Sequence, residues 1–219
     1  MLPLELFLFD MAGTTVPDDD HVLEAFARAA QCAGLDLERS WLLPRMGLHK
    51  EAVFRELLEV AGRSSDAAPS LARAFEDAIE DVFRERPASP LPGAVELLNA
   101  LEQAGVRVGF TTGFSRRTAD GILHALGWQE RLSVCSDEVA QGRPAPDLIF
   151  EAMRRAGVDD ANRVGTCGDT PSDLGAGANA GCAIVVGVGH GTHDLASLAP
   201  HPHTHLFPDL EGLRALLEV

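Results

Sequence analysis

The sequence predicts an α/β fold, a parallel sheet with helices on both faces that is interrupted early by an all-helical insert. Three observations predict it. Apolar strand-like runs alternate with helical patterns over most of the chain. The stretch 17–87 breaks that alternation and reads as helices alone. The most reactive polar residues follow directly on the strand-like runs, where open α/β sheets bind ligands.

In chain order, residues 4–9 form the first apolar run, which Asp10 ends. Helical patterns follow at 20–33, 50–61 and 67–86, and Pro87 and Pro90 close the insert. Alternation then resumes, with helices at 92–104, 116–126, 146–156, 172–180 and 209–217. Between them lie strands at 106–111, 132–135, 163–167 and 183–188, and a weaker one at 203–207. This pattern describes a Rossmann-like core of residues 1–16 and 88–219 carrying a helical cap of residues 17–87, joined by two hinge-prone linkers.

Composition narrows the function. The chain has 219 residues, 46% apolar, enough for a packed core with a smaller inserted module. It carries 33 acidic against 18 basic residues, a net charge of -15, so nucleic acid and anionic lipid are excluded as partners. An anionic substrate would need a local cluster of positive groups. The amino-terminal run contains Glu5 and lacks a basic start and a cleavage site, so it reads as a strand rather than a signal peptide. No apolar run approaches the ~20 residues of a membrane helix. Cys32, Cys135, Cys167 and Cys182 show no zinc or redox spacing, which fits reduced core thiols in a cytoplasmic protein. Arginine is abundant and Lys50 is the single lysine. Arginine replaces lysine on a surface but not where a neutral amine must attack a carbonyl, so Lys50 is a candidate nucleophile.

Four motifs carry chemistry. Phe9-Asp10-Met11-Ala12-Gly13-Thr14-Thr15 places a carboxylate at a strand end before a tight turn, as nucleophile, metal ligand or simple turn cap. Thr111-Thr112-Gly113 offers a hydroxyl to a phosphoryl oxygen, next to a helix beginning near Ser115. In Gly142-Arg143-Pro144, Arg143 can neutralise a carboxylate and a phosphoryl group; alone it would read as a solvated loop arginine. Gly168-Asp169-Thr170-Pro171-Ser172-Asp173 sets two carboxylates around a helix start, suited to Mg2+, with Asp169 or Ser172 also able to cap that helix. Together they supply what phosphoryl transfer needs: a nucleophile, charge neutralisation and a metal.

With these motifs in this order and a helical insert after the first, the chain resembles the haloacid dehalogenase superfamily over nearly its whole length. The resemblance implies a covalent aspartyl-phosphate on Asp10. It implies Mg2+ bound by Asp10, the Ala12 carbonyl and Asp169, supported by Asp173, with Thr112, Gly113 and Arg143 holding the phosphoryl group. Most phosphatases of this superfamily carry a second aspartate where this chain has Ala12, and it protonates the leaving alcohol. The phosphonoacetaldehyde hydrolase (phosphonatase) branch has alanine there. Its segment resembling Met46-Gly47-Leu48-His49-Lys50 supplies a Schiff-base lysine, which aligns with Lys50, and Met46 beside the substrate. Periodicity agrees in part. Lys50, Val53, Phe54, Leu57 and Leu58 share one helical face, where desolvation and the helix dipole lower an amine's pKa, unless the side chain snorkels to water. Two positions depart from phosphonatase: Val53 stands for a histidine and Phe114 for a tyrosine.

The expected activity is therefore Mg2+-dependent cleavage of a phosphorus bond in a small phosphonate or phosphate compound. The alternative is a phosphatase acting on a small phosphate monoester, in the manner of a phosphoglycolate phosphatase. A binding protein that merely keeps the fold would show a degraded core position, and none is degraded. A homodimer is left open. His201, His203 and His205 alternate as they would on one strand face, and read as loop and edge-strand residues rather than a metal site.

Overall fold

The computed structural model describes residues 4–18 and 20–218. The expected core and cap ranges also include residues 1–3, 19 and 219, which lie outside the described residues. The chain runs β1 (Leu6–Phe9), α1 (His21–Cys32), α2 (Arg39–Leu42), α3 (Lys50–Val60), α4 (Ala68–Glu85), α5 (Ala94–Gln103), β2 (Arg107–Thr112), α6 (Arg116–Leu126), β3 (Leu132–Cys135), α7 (Asp147–Ala156), β4 (Val164–Gly168), α8 (Pro171–Ala180), β5 (Ile184–Val188), α9 (Leu195–Leu198), β6 (His205–Phe207) and α10 (Leu210–Leu217).

All neighbouring strands pair in parallel, in the order β3-β2-β1-β4-β5-β6. The chain builds outward from β1 to β3 and then returns to β4 on the other side. That reversal opens a crevice above the carboxyl ends of β1, β2 and β4. Phe9 lies level with both Phe110 and Cys167, so the residues that follow these strands emerge at one height.

Alternation along β1 fixes the two layers. Phe7 and Phe9 pack with apolar residues of α5, α6 and α10. Leu6 and Leu8 face the other way, onto α7 and α8. The first cluster continues into the helical cap, where α1, α3 and α4 meet around Phe26, Phe54 and Phe75. The Phe26 ring lies 5.1 Å from Phe54 and 4.6 Å from Phe75. Each fully buried ring stabilises by up to about 3 kcal/mol, so these rings hold α1, α3 and α4 together within the same apolar cluster as Phe7 and Phe9. Polar ties join α4 to α6: Ser115 and Thr118 donate hydroxyl hydrogen bonds to Glu76, and Arg117 pairs with Asp77 and Glu80.

The structure departs from the sequence reading at element ends. The single-turn helices α2 and α9 were not expected, because four residues are too few to show a period. The last strand begins at His205 rather than at residue 203, since the backbone N–H and the side chain of Thr204 already bond Val185. His201 and His203 therefore precede the strand and do not share a face of it with His205. The cap of α8 is Thr170 rather than Asp169 or Ser172. No helix among the described residues is long and apolar enough to cross a membrane.

Candidate active site

The loop after β1 holds Asp10 firmly. Its backbone N–H donates to Cys167 O at 2.9 Å, and the Thr15 hydroxyl donates to Asp10 O at 2.9 Å. The N–H groups of Thr15 and Val16 close the turn onto Met11 O. Gly13 has φ +86°, and a Cβ there would stand 2.3 Å from Asp169 Oδ2, so the turn can approach that carboxylate only as glycine.

Three buried carboxylates converge here: oxygens of Asp10, Asp169 and Asp173 all lie within 4.8 Å of one another. Each is held differently. Arg143 Nη1 donates to Asp10 Oδ1 at 2.9 Å and also pairs with Asp173. Thr170, by capping α8, ties Asp173 in turn: its N–H donates to Asp173 Oδ2 at 3.0 Å. Asp169 is fully buried and accepts from the Thr14 hydroxyl at 3.1 Å and the Thr192 N–H at 2.6 Å. Burial, and then the charge of Asp10, raise its carboxyl above the usual range. One arginine against three buried carboxylates leaves negative charge uncompensated. An all-oxygen donor set of this kind fits a hard divalent cation.

Arg143 is buried, and its Nε has no hydrogen-bond partner among the described residues. A buried guanidinium with an unused donor is suited to an incoming anion. Thr112 ends β2 beside it, its hydroxyl accepting from Phe114 N–H at 3.1 Å. A Cβ on Gly113 would lie 3.3 Å from Arg143 Nη2, 3.4 Å from Gly47 O and 3.5 Å from Lys50 Nζ. The amine of α3 thus reaches across from the cap to the core loop. Lys50, Val53, Phe54, Leu57 and Leu58 form the buried face of α3. Rings of Phe26, Phe75 and Phe114 surround the Lys50 ammonium at 5.4–5.6 Å. Burial, with Arg143 adding to it, lowers its pKa to about 8. It is buried, so it does not snorkel.

Asp10, Ala12, Met46, Lys50, Thr112, Gly113 and Arg143 line one cavity between cap and core. Asp169 and Asp173 lie against its floor through Asp10, Arg143 and Thr170. The cavity encloses about 30 Å³, room for little more than ordered water, so the cap is closed over the core. Gly47, at φ +81°, makes that closure: a Cβ there would sit 2.7 Å from Thr170 Oγ1.

Sequence reasoning missed Asp18, Gly191 and Thr192, and it named the Thr14 hydroxyl without its partner Asp169. Gly191 packs its backbone on Asp169, where a Cβ would stand 2.3 Å from Oδ2. The turn Gly189-His190-Gly191-Thr192 after the strand run was the one available sign of it. Asp18 lines the same cavity from the linker before α1.

Comparison with known proteins agrees with this geometry. The chain is 30% identical over 234 aligned residues to a phosphonoacetaldehyde hydrolase of Bacteroides fragilis, covering 100% of this chain and 88% of that one. It is also 30% identical to a phosphonoacetaldehyde hydrolase of Bacillus cereus, over 89% of this chain and 79% of the relative. Among solved structures it resembles a hydrolase from Pseudomonas syringae with a TM-score of 0.87 and 25% identity, over 98% of this chain and 99% of the other. A model of the haloacid dehalogenase-like hydrolases matches residues 4–181, and with the carboxylates, arginine and sheet topology described above the chain belongs to that family of enzymes.

Proposed function

We propose that this hydrolase cleaves the carbon–phosphorus bond of a small phosphonoaldehyde, with Asp10 attacking phosphorus and Lys50 holding the aldehyde carbon as an imine. The observation that carries the reading is the place of Lys50. The one lysine of the chain lies buried, with its amine at the Gly113 loop and in the same cavity as Asp10 and Arg143. Relatives 30% identical bear the name phosphonoacetaldehyde hydrolase, which agrees with it.

In this reading Arg143 uses its free Nε, and Thr112 its hydroxyl, to hold the phosphoryl oxygens in line with Asp10. Asp10 Oδ2 has no hydrogen-bond partner among the described residues and is the oxygen free to attack. The lowered pKa of Lys50 leaves about a tenth of it as free amine near neutral pH. That amine adds to the aldehyde carbon, and the resulting iminium accepts the electron pair of the breaking bond. Ala12 then matters little, because no alcohol leaves and none needs a proton at that position. Asp10, Asp169 and the Ala12 carbonyl, with Asp173 behind them, would hold Mg2+, which when bound offsets negative charge on the phosphoryl oxygens. Four free cysteines fit a cytoplasmic setting.

The second reading, a phosphatase for a small phosphate monoester, draws on the core set of Asp10, Thr112, Arg143 and Asp169, which does not depend on the lysine. A phosphate-release screen with Mg2+ separates the two when it pairs phosphonoacetaldehyde with an ester panel. The proposal expects release from the phosphonate and a borohydride-trapped adduct on Lys50. Ester turnover that survives Lys50→Arg, with no adduct, would reject it.

A further inference from the structure

The cavity holds one carboxylate that the reading above does not use. Asp18, in the linker before α1, lines it together with Lys50, Val22 and Met46. Its Oδ1 accepts from the Val22 N–H at 3.0 Å, in the first turn of α1. Its Oδ2 has no hydrogen-bond partner among the described residues. Asp18 also lines a second cavity of about 460 Å³ with Asp20, Arg39 and His190.

Imine formation at Lys50 needs a proton donor. The carbinolamine formed when the amine adds to an aldehyde loses its oxygen only once that oxygen is protonated. The other carboxylates that face Lys50 are engaged. Asp10 pairs with Arg143, and Glu76 accepts from Ser115 and Thr118. His21 stacks on Phe83 and bonds the backbone oxygens of Asp18 and Arg86. Val53 and Phe114 carry no proton, and Ala12 none. The charged groups that face Asp18 are Lys50 from α3, His21 from α1, Asp20 from the linker and Asp169 from the loop after β4. Burial, the largest influence, raises its carboxyl, which suits a donor.

We propose that Asp18 is the acid–base residue of imine chemistry at Lys50, an assignment that rests on the imine reading above. Its carboxyl gives a proton to the carbinolamine hydroxyl. The C–O bond breaks, water leaves, and the nitrogen lone pair forms the C=N bond of the iminium. The carboxylate left behind stands as counter-ion in the same cavity. After the carbon–phosphorus bond is cleaved the enamine carbon takes a proton from solvent, and the same carboxylate takes a proton from the water that adds to the product iminium, regaining the one it gave. The carbinolamine hydroxyl proton then passes to nitrogen as the C–N bond breaks and the aldehyde leaves.

Asp18→Asn separates this role from the hydrogen bond to α1, because asparagine keeps an oxygen for the Val22 N–H but has no acidic proton to transfer. The measurement is the rate at which borohydride traps an adduct on Lys50 with phosphonoacetaldehyde, read by mass spectrometry. It is made on full-length Asp10→Asn chain, in which carbon–phosphorus cleavage cannot run. Adding Asp18→Asn should slow trapping by about 100-fold with an unchanged final yield, and Asp18→Glu should recover part of the rate. A merely structural role would lower yield and melting temperature together. Equal trapping rates with and without Asp18→Asn overturn the assignment alone. No adduct in the chain that keeps Asp18 overturns the imine reading and this assignment with it.

Discussion

Replacing Lys50 with methionine is expected to stabilise the protein while ending its imine chemistry. The amine is buried among Phe26, Phe75 and Phe114, and its pKa falls from the ordinary 10.5 to about 8. At about 1.4 kcal/mol per pKa unit, holding that ammonium in the folded chain costs about 3 kcal/mol. The folded pKa lies below the unfolded one, so between the two the unfolded chain binds more protons and stability rises with pH. Near neutral pH, below both values, the whole cost is present. Above the unfolded value it is gone. Methionine fills the same space, removes the charge and sets a thioether against three rings. For a chain of this size about 3 kcal/mol corresponds to roughly 6–12 °C in melting temperature. Thermal melts of both proteins near pH 7 and again near pH 10 measure it: the gap should be wide at the lower pH and narrow at the higher. An equal or lower melting temperature for Lys50→Met near pH 7 would refute the reasoning. It would mean that Glu76, Asp10 and Asp18 already compensate the ammonium.

Three further outcomes are expected. Arg143→Lys keeps the charge but loses the guanidinium whose Nη1 serves both Asp10 and Asp173 and whose Nε is left for the anion, so kcat/KM should fall by about 100-fold in steady-state assays. Gly47→Ala puts a Cβ at φ +81° and 2.7 Å from Thr170 Oγ1, so it should cost about 1–2 kcal/mol in a melt and raise KM by loosening the closed cap. Mg2+ at a hundred times its Kd should stabilise the protein by about 2.7 kcal/mol, an effect reversed by chelator and lost in Asp169→Asn.

Much of the fold can be read from alternation. β2 to β5 begin and end within a residue of the apolar runs, and β1 begins two residues late, because each run is buried and bounded by glycine, proline or a polar turn. The single-turn helices escaped because one turn has no period, and the last strand was misjudged because Thr204 spends its bonds on Val185 outside any ladder. At the site, the residues that follow β1, β2 and β4 could be named because strand ends in a parallel sheet share one edge. Lys50 could be placed because the stripe it belongs to is regular. Thr192 and Gly191 could not, nor could the partner of the Thr14 hydroxyl, since their part is a close approach to Asp169 created by tertiary packing. Asp18 escaped for a related reason: in the sequence it is one of three consecutive aspartates, and only the fold of the linker turns it toward the cavity.

The central claim is that the Asp10 carboxylate becomes bonded to phosphorus. Acid-quenching the enzyme during its first turnover on phosphonoacetaldehyde, then mapping its peptides by mass, tests that claim most directly. The account predicts a hydroxylamine-labile phosphoryl group on the peptide containing Asp10, absent in Asp10→Asn. Phosphate appearing at full rate with no phosphoryl group ever on that peptide would contradict it.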